Sequence, residues 1–153
     1  DVDAALAILD GAGVPLRPTF VPFTPWTTLD DYLGLVDWID ARGLVEHVDP
    51  IQLAIRLLIP PGSLLLDHPE TTPHLDADDR RFGPARLSYA WTHPDARMDR
   101  LAHDVFAAVE KGATFADVRA LAEAVAARPP SREPIVHKTV RGRPPRLSES
   151  WFC

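Results

Sequence analysis

VPFTPWTTLDDYLGLVDWIDARGLVEHVDPIQLAIRLLIPPGSLLL, residues 21–66, decides how the chain reads. Thr27 and Thr28 can each start a helix, because each has an acid three residues on, Asp30 or Asp31. That pattern satisfies the free amides of a first turn. Leu29, Tyr32, Leu33, Val36 and Ile39 follow at helical spacing, Arg42 sits in the last turn and Gly43 stops it, so the pattern predicts a helix over 28–42. Ile51, Leu53, Ile55, Leu57 and Ile59 then alternate with Gln52, Ala54, Arg56 and Leu58 up to Pro60-Pro61. Period two with a proline stop favours a strand near 51–58, although Ile51, Ala54, Ile55 and Leu58 also fit a helix. With a short strand over Leu16–Pro22, the order strand, helix, strand is that of a crossover unit in a parallel sheet.

On the N-terminal side, Val2, Ala5, Leu6 and Leu9 share one side of a helix over 2–10, ended by Gly11 and Gly13. Beyond residue 60 the chain turns irregular and proline-broken as far as Pro94. Met98, Leu101, Ala102, Val105, Phe106 and Val109 make a helical stripe over 95–111. Thr114 with Asp117 caps another helix, over 115–127, and the link Gly112-Ala113-Thr114 is short enough for a helical hairpin. After Ala127 the prolines and arginines carry no apolar period, and 128–153 reads as a disordered, basic, Pro-rich tail.

At 153 residues, 46% hydrophobic and 25% charged, the composition is that of a globular protein. The chain is too short for a whole eight-stranded βα barrel, which takes about 250 residues. It begins with Asp1 and a run that reads as the middle of a helix, so an N-terminal part is expected to be missing. No apolar run approaches the about eighteen residues of a membrane span, so no membrane partner is expected. One Cys excludes an internal disulfide and fits a reducing, cytoplasmic compartment. The net charge of −6 is unevenly divided: residues 128–153 hold six Lys/Arg against two acids, so the body is strongly acidic. Either the tail lies on its own body or it is solvated.

The stretch 19–66, with Ile51-Gln52-Leu53-Ala54-Ile55-Arg56-Leu57-Leu58-Ile59-Pro60-Pro61-Gly62-Ser63 at its centre, resembles the late part of a radical S-adenosylmethionine (SAM) barrel. The end, Ser148-Glu149-Ser150-Trp151-Phe152-Cys153, resembles the lead-in to the Cys-Cys-Ala-Glu-Pro or Cys-selenocysteine-Ala-Glu-Pro tail of one radical SAM family. The resemblance implies an α/β fold: the last βα units of a partial TIM-type barrel (1–67), an irregular connector (68–94), a helical hairpin (95–127) and the tail. It implies an enzyme that cleaves S-adenosylmethionine reductively on a 4Fe-4S cluster to a 5′-deoxyadenosyl radical. An electron donor and a small-molecule or peptide substrate would be its partners, and some relatives carry a cobalamin domain. The family's Cys-x3-Cys-x2-Cys motif is absent, so the cluster ligands would lie outside this chain and the chain alone would be inactive. A non-catalytic docking module and a thiol or selenol redox protein are the other readings.

Four residues are candidates for binding substrate or cofactor. Gln52 and Arg56 would share one strand face and, if it lines a barrel, could hydrogen-bond a carboxylate; alternatively Arg56 pairs with an acid at the rim. Thr24 and Trp26 lie on the loop after the first strand, where Trp26 either lines a pocket or packs. Cys153 would be the redox residue of the tail, with a thiol or selenol reductase as partner. The six histidines show no metal-ligand spacing, and Asp76, Asp78 and Asp79 lack the Gly and late Glu of a calcium loop. The basic tail has no aromatic interleaving, so no nucleic-acid partner is expected.

The tail resemblance places a second soft residue directly after Cys153. Reading the codons beyond Cys153 is expected to give TGA followed by Ala-Glu-Pro codons and a selenocysteine insertion hairpin; TAA or TAG there removes the expectation.

Overall fold

The computed structural model describes residues 2–76 and 87–128. Four α-helices carry it: α1 (Val2–Gly11), α2 (Leu29–Ala41), α3 (Ala96–Val109) and α4 (Phe115–Ala126). Of the two candidate caps for α2, Thr28 is used. Its hydroxyl accepts from the Asp31 amide, and the Asp31 carboxylate accepts from the Thr28 amide at 2.9 Å. The Thr28 hydroxyl, then the Thr28 amide, hold Asp31 below the usual carboxylate range. Thr114 and Asp117 form the same reciprocal cap on α4. Gly43 and Gly112 follow α2 and α3 at φ 65° and 87°, left-handed positions that favour glycine.

The structure corrects the α/β barrel reading. Among the described residues there is no strand, hence no sheet and no part of a barrel. The expected strand over 51–58 starts as a 3-10 turn, Pro50–Ala54. Asp49 accepts from the Ile51 amide through its side chain (3.2 Å) and from the Gln52 amide through its carbonyl (2.8 Å), and Pro50 occupies the first position. An Asp cap followed by proline is a helix start, and it overrides the period-two pattern. The chain becomes extended only at Ile55, and then pairs one residue at a time: Arg56 with Phe23 in parallel, Ile59 with Tyr89 antiparallel. The expected strand Leu16–Pro22 is absent: 14–22 has no regular structure, the nearest bridge lies beyond it at Phe23, and Pro18 and Pro22 have no amide to donate. Leu64–Leu66 lie in a 3-10 turn, Leu64–Asp67.

The core forms where α2, α3, α4 and the turn Pro50–Ala54 converge. Tyr32, Val36 and Ile39 of α2 meet Leu53, Leu101, Val105 and Val118, all of them closed to solvent. The Tyr32 ring packs on Phe23 (4.9 Å between centroids), and its hydroxyl donates to the Leu53 carbonyl at 2.9 Å. Burial pushes the Tyr32 phenol above its usual range, so it stays a donor. α1 buries none of its residues fully, although Leu6 packs half-buried against the core and Asp3 pairs with Arg42. Among the described residues no helix is long and apolar enough to cross a membrane.

Burial in the 51–59 segment separates the turn from a strand. Leu53 is closed to solvent while Leu58 is 70% exposed. Leu53→Ala is therefore expected to cost about 2–5 kcal/mol and Leu58→Ala no more than about 0.5 kcal/mol, read from urea midpoints at constant slope. Equal losses at the two sites would contradict this packing.

Candidate functional site

Three segments with little regular structure meet beside the N-terminus of α3: the loop 23–27, the extended run 55–59 and the run 91–95. Backbone pairing sets the first two side by side. The Phe23 amide donates to the Ile55 carbonyl (3.3 Å), and the Leu57 amide to the Phe23 carbonyl (2.8 Å). The third is fixed by one arginine. Arg56 donates through Nη1 to Oδ1 of Asp99 at 2.6 Å and through Nη2 to the Trp91 carbonyl at 2.9 Å. Its guanidinium also stacks on the Trp91 ring, 3.8 Å from the centroid, and Trp91 Nε1 donates to the Leu57 carbonyl at 2.8 Å. Asp99, whose side chain is 1% exposed, accepts from the His93 amide at 3.0 Å through its other oxygen.

His93 completes the node. Its Nδ1 lies 2.9 Å from the Asp95 amide, from which it can accept, and 3.0 Å from the Asp95 carbonyl, to which it can donate when protonated. Nε2 is buried without a hydrogen-bond partner of full geometry, although the Thr27 backbone lies near enough to favour the charged ring. Burial is the largest influence on His93 and lowers its pKa below the ordinary histidine value. The Asp95 backbone, Asp99, the Thr27 backbone and the Asp95 charge oppose it. Asp95 caps α3 and is held below the usual carboxylate range chiefly by its hydrogen bond to Arg97.

The four sequence candidates divide. Thr24, Trp26 and Arg56 come together at this junction, but Gln52 does not share a strand face with Arg56. Gln52 sits on the 3-10 turn, where its Oε1 accepts from the Phe20 amide at 3.3 Å. The Arg56 guanidinium is engaged by Asp99 and Trp91, and there is no barrel interior for either residue to face. Thr24 bonds Thr27 hydroxyl to hydroxyl at 2.6 Å, which shapes the loop. Trp26 is 46% exposed. Cys153 lies outside the described residues. Sequence reading passed over His93 and Asp99; the only local signal was His93-Pro94-Asp95 ahead of a helical stripe.

Chemically, the junction holds a fixed cation–carboxylate pair, a buried neutral imidazole and an exposed indole. Among the described residues no group of three or more His, Cys, Asp or Glu is placed to hold a metal ion. A 4Fe-4S cluster needs thiolates, and the described residues contain no cysteine, so they do not fit one. Comparison with protein-family models, with curated proteins and with solved structures finds no match to this chain.

Removing Arg56 would leave the Asp99 carboxylate buried without its cation. Arg56→Ala is expected to cost about 2–4 kcal/mol, at the lower side of the range for broken buried pairs because Arg56 is one-third exposed. Unchanged stability would show the pair to be dispensable. Because the His93 pKa is lower folded than unfolded, the unfolded chain binds more protons between those two values. Stability should therefore fall as pH drops below about 6.5 towards the folded value. Thermal melts between pH 7.5 and 5.5 should show that loss, and His93→Gln should flatten it; an identical slope in the variant would assign the loss elsewhere.

Proposed function

We propose that this chain is the C-terminal part of a radical S-adenosylmethionine enzyme. Its role there is to pack against the cluster-bearing part and contribute a wall beside the substrate, not to ligate the cluster. The reading comes from the sequence of 19–66 and of the end at Cys153. One structural observation supports the docking role. The two segments joined by the Phe23–Arg56 bridge each carry an exposed large apolar side chain, Trp26 (46% exposed) and Leu58 (70%). Large apolar side chains left open to water on adjoining segments are what a docking surface would use. S-adenosylmethionine and the 4Fe-4S cluster would be held by residues beyond this chain; the reductive cleavage is their chemistry. Arg56, Asp99 and His93 contribute by fixing the loop that carries Thr24 and Trp26.

The same exposed pair supports a second reading, a non-catalytic module that docks on a separate protein. The gene separates the two. An in-frame upstream segment encoding Cys-x3-Cys-x2-Cys is expected, and its longer product, purified without oxygen, should carry a four-iron cluster and release 5′-deoxyadenosine. In that product Trp26→Ser with Leu58→Ser should lower activity and loosen the two parts to limited proteolysis. A start codon directly before Asp1 would leave the docking module. Residues 1–153 alone, reconstituted with iron and sulfide, should show no cluster absorbance.

A further inference from the structure

Among the described residues His93 is the only buried histidine. It sits where two helices begin. Its Nδ1 lies 2.9 Å from the amide of Asp95, the cap of α3. The backbone of Thr27, one residue before the cap of α2, also lies close enough to act on the ring. The start of a helix carries partial positive charge, so both ends disfavour an imidazolium beside them.

The carboxylates that could offset such a charge are already engaged. Asp99 accepts from Arg56 Nη1 through Oδ1 at 2.6 Å and from the His93 amide through Oδ2 at 3.0 Å. Asp95 accepts from the Arg97 amide through Oδ1 at 2.9 Å and from Arg97 Nη2 through Oδ2 at 2.7 Å. From α2, Asp31 is committed to Thr28, and Asp30 is exposed and acts on Arg97. The loop 23–27 has no charged side chain. His93 Nε2 is closed to solvent and has no hydrogen-bond partner.

Of the segments around the ring, residues 24–27 are the least firmly held. Their hydrogen bonds stay inside the loop: the Thr24 and Thr27 hydroxyls meet at 2.6 Å, and the Thr27 amide donates to the Thr24 hydroxyl at 3.1 Å. Only Pro25 is buried among them. α3, by contrast, is anchored by Met98 and Leu101, 1% and 0% exposed, and the run from Trp91 is tied down by Arg56.

We propose that His93 is an acid-sensitive latch: protonation of its ring releases residues 24–27 from the junction while the helical core stays folded. An imidazolium has two N–H groups. The Asp95 carbonyl, 3.0 Å away, can take the one on Nδ1. The one on Nε2 faces a place that water does not reach. Moving the loop outward lets water in at that nitrogen, at the cost of the burial of Pro25 but of no hydrogen bond linking the loop to another segment. Burial, the largest influence on the closed ring, holds its pKa below the ordinary histidine value, and the open ring returns towards about 6.5. The open form therefore binds the proton more tightly, and the open-to-closed ratio rises up to tenfold for each pH unit lost between those two values. If Trp26 serves the docking surface proposed above, docking weakens in acid. The latch itself involves only this chain and does not depend on that role.

The full chain tests this by amide hydrogen exchange, corrected for the intrinsic effect of pH, alongside an NMR titration of the His93 ring. Between pH 7.5 and 5.5 the amides of Trp26, Thr27 and Thr28 should lose protection several-fold, with the midpoint of the His93 titration, while α3 and α4 keep theirs. His93→Gln, folded by circular dichroism at pH 7.5, should hold the loop's protection constant over that range. Pro25→Gly loosens the loop without adding charge, and should raise the His93 pKa towards the ordinary value, because coupling between loop and proton acts in both directions. That variant decides the matter even where His93→Gln does not fold. Loop protection indifferent to pH, an equal loss in His93→Gln, loss from the loop and the helices together, or a His93 pKa unmoved by Pro25→Gly would each overturn the proposal.

Discussion

The ion pair between Arg56 and Asp99 is the constraint on which the irregular half of the molecule depends. It joins residues 43 apart in sequence, at a distance of 2.6 Å. A carboxylate as buried as Asp99 is tolerable only when its charge is matched and its oxygens are bonded. Arg56 and the His93 amide supply both. In return Arg56 holds the Trp91 carbonyl, and Trp91 holds the Leu57 carbonyl. Segments with no ladder of their own thus find partners for their polar groups through side chains. A hydrophobic replacement of the pair would leave those carbonyls to find water in a place that admits little of it.

The helices supply the rigid frame for this junction. α2 and α4 begin with reciprocal Thr–Asp caps, and Arg119 on α4 bridges to Asp37 and Asp40 of α2 at 2.6 and 3.1 Å. Those bridges are exposed and contribute little; the apolar faces that meet beneath them do most of the holding. The frame is one-sided. α1 buries none of its residues and leaves an apolar groove against α2, lined by Leu6, Leu9, Phe20 and Trp38.

The resemblance to radical SAM proteins and the helical architecture pull in different directions over residues 51–59. The alternation there is genuine, but Asp49-Pro50 begins a 3-10 turn and the alternation then has no sheet to serve. A parallel sheet requires neighbours on both edges and cover on both faces. Here the parallel contact shrinks to Phe23 and Arg56.

The four helices were legible in the sequence because local chemistry decides them. Thr28 with Asp31, Thr114 with Asp117, the left-handed glycines 43 and 112 and the 3.6-residue stripes all act within one turn or two. The candidate loop was legible too, since prolines at 22 and 25 fix it locally. His93 and Asp99 were not. Neither has a motif, and their importance arises from Arg56 reaching across from a distant segment into a space closed by Trp91. The same holds for the 51–59 run. Its sequence fits two periods, and only the positions of α3, α4 and Phe23 choose between them, burying Leu53 and Ala54 together and turning Leu58 outward. Local caps and stripes determined where helices lie; desolvation of one carboxylate and the shape of one core decided everything between them.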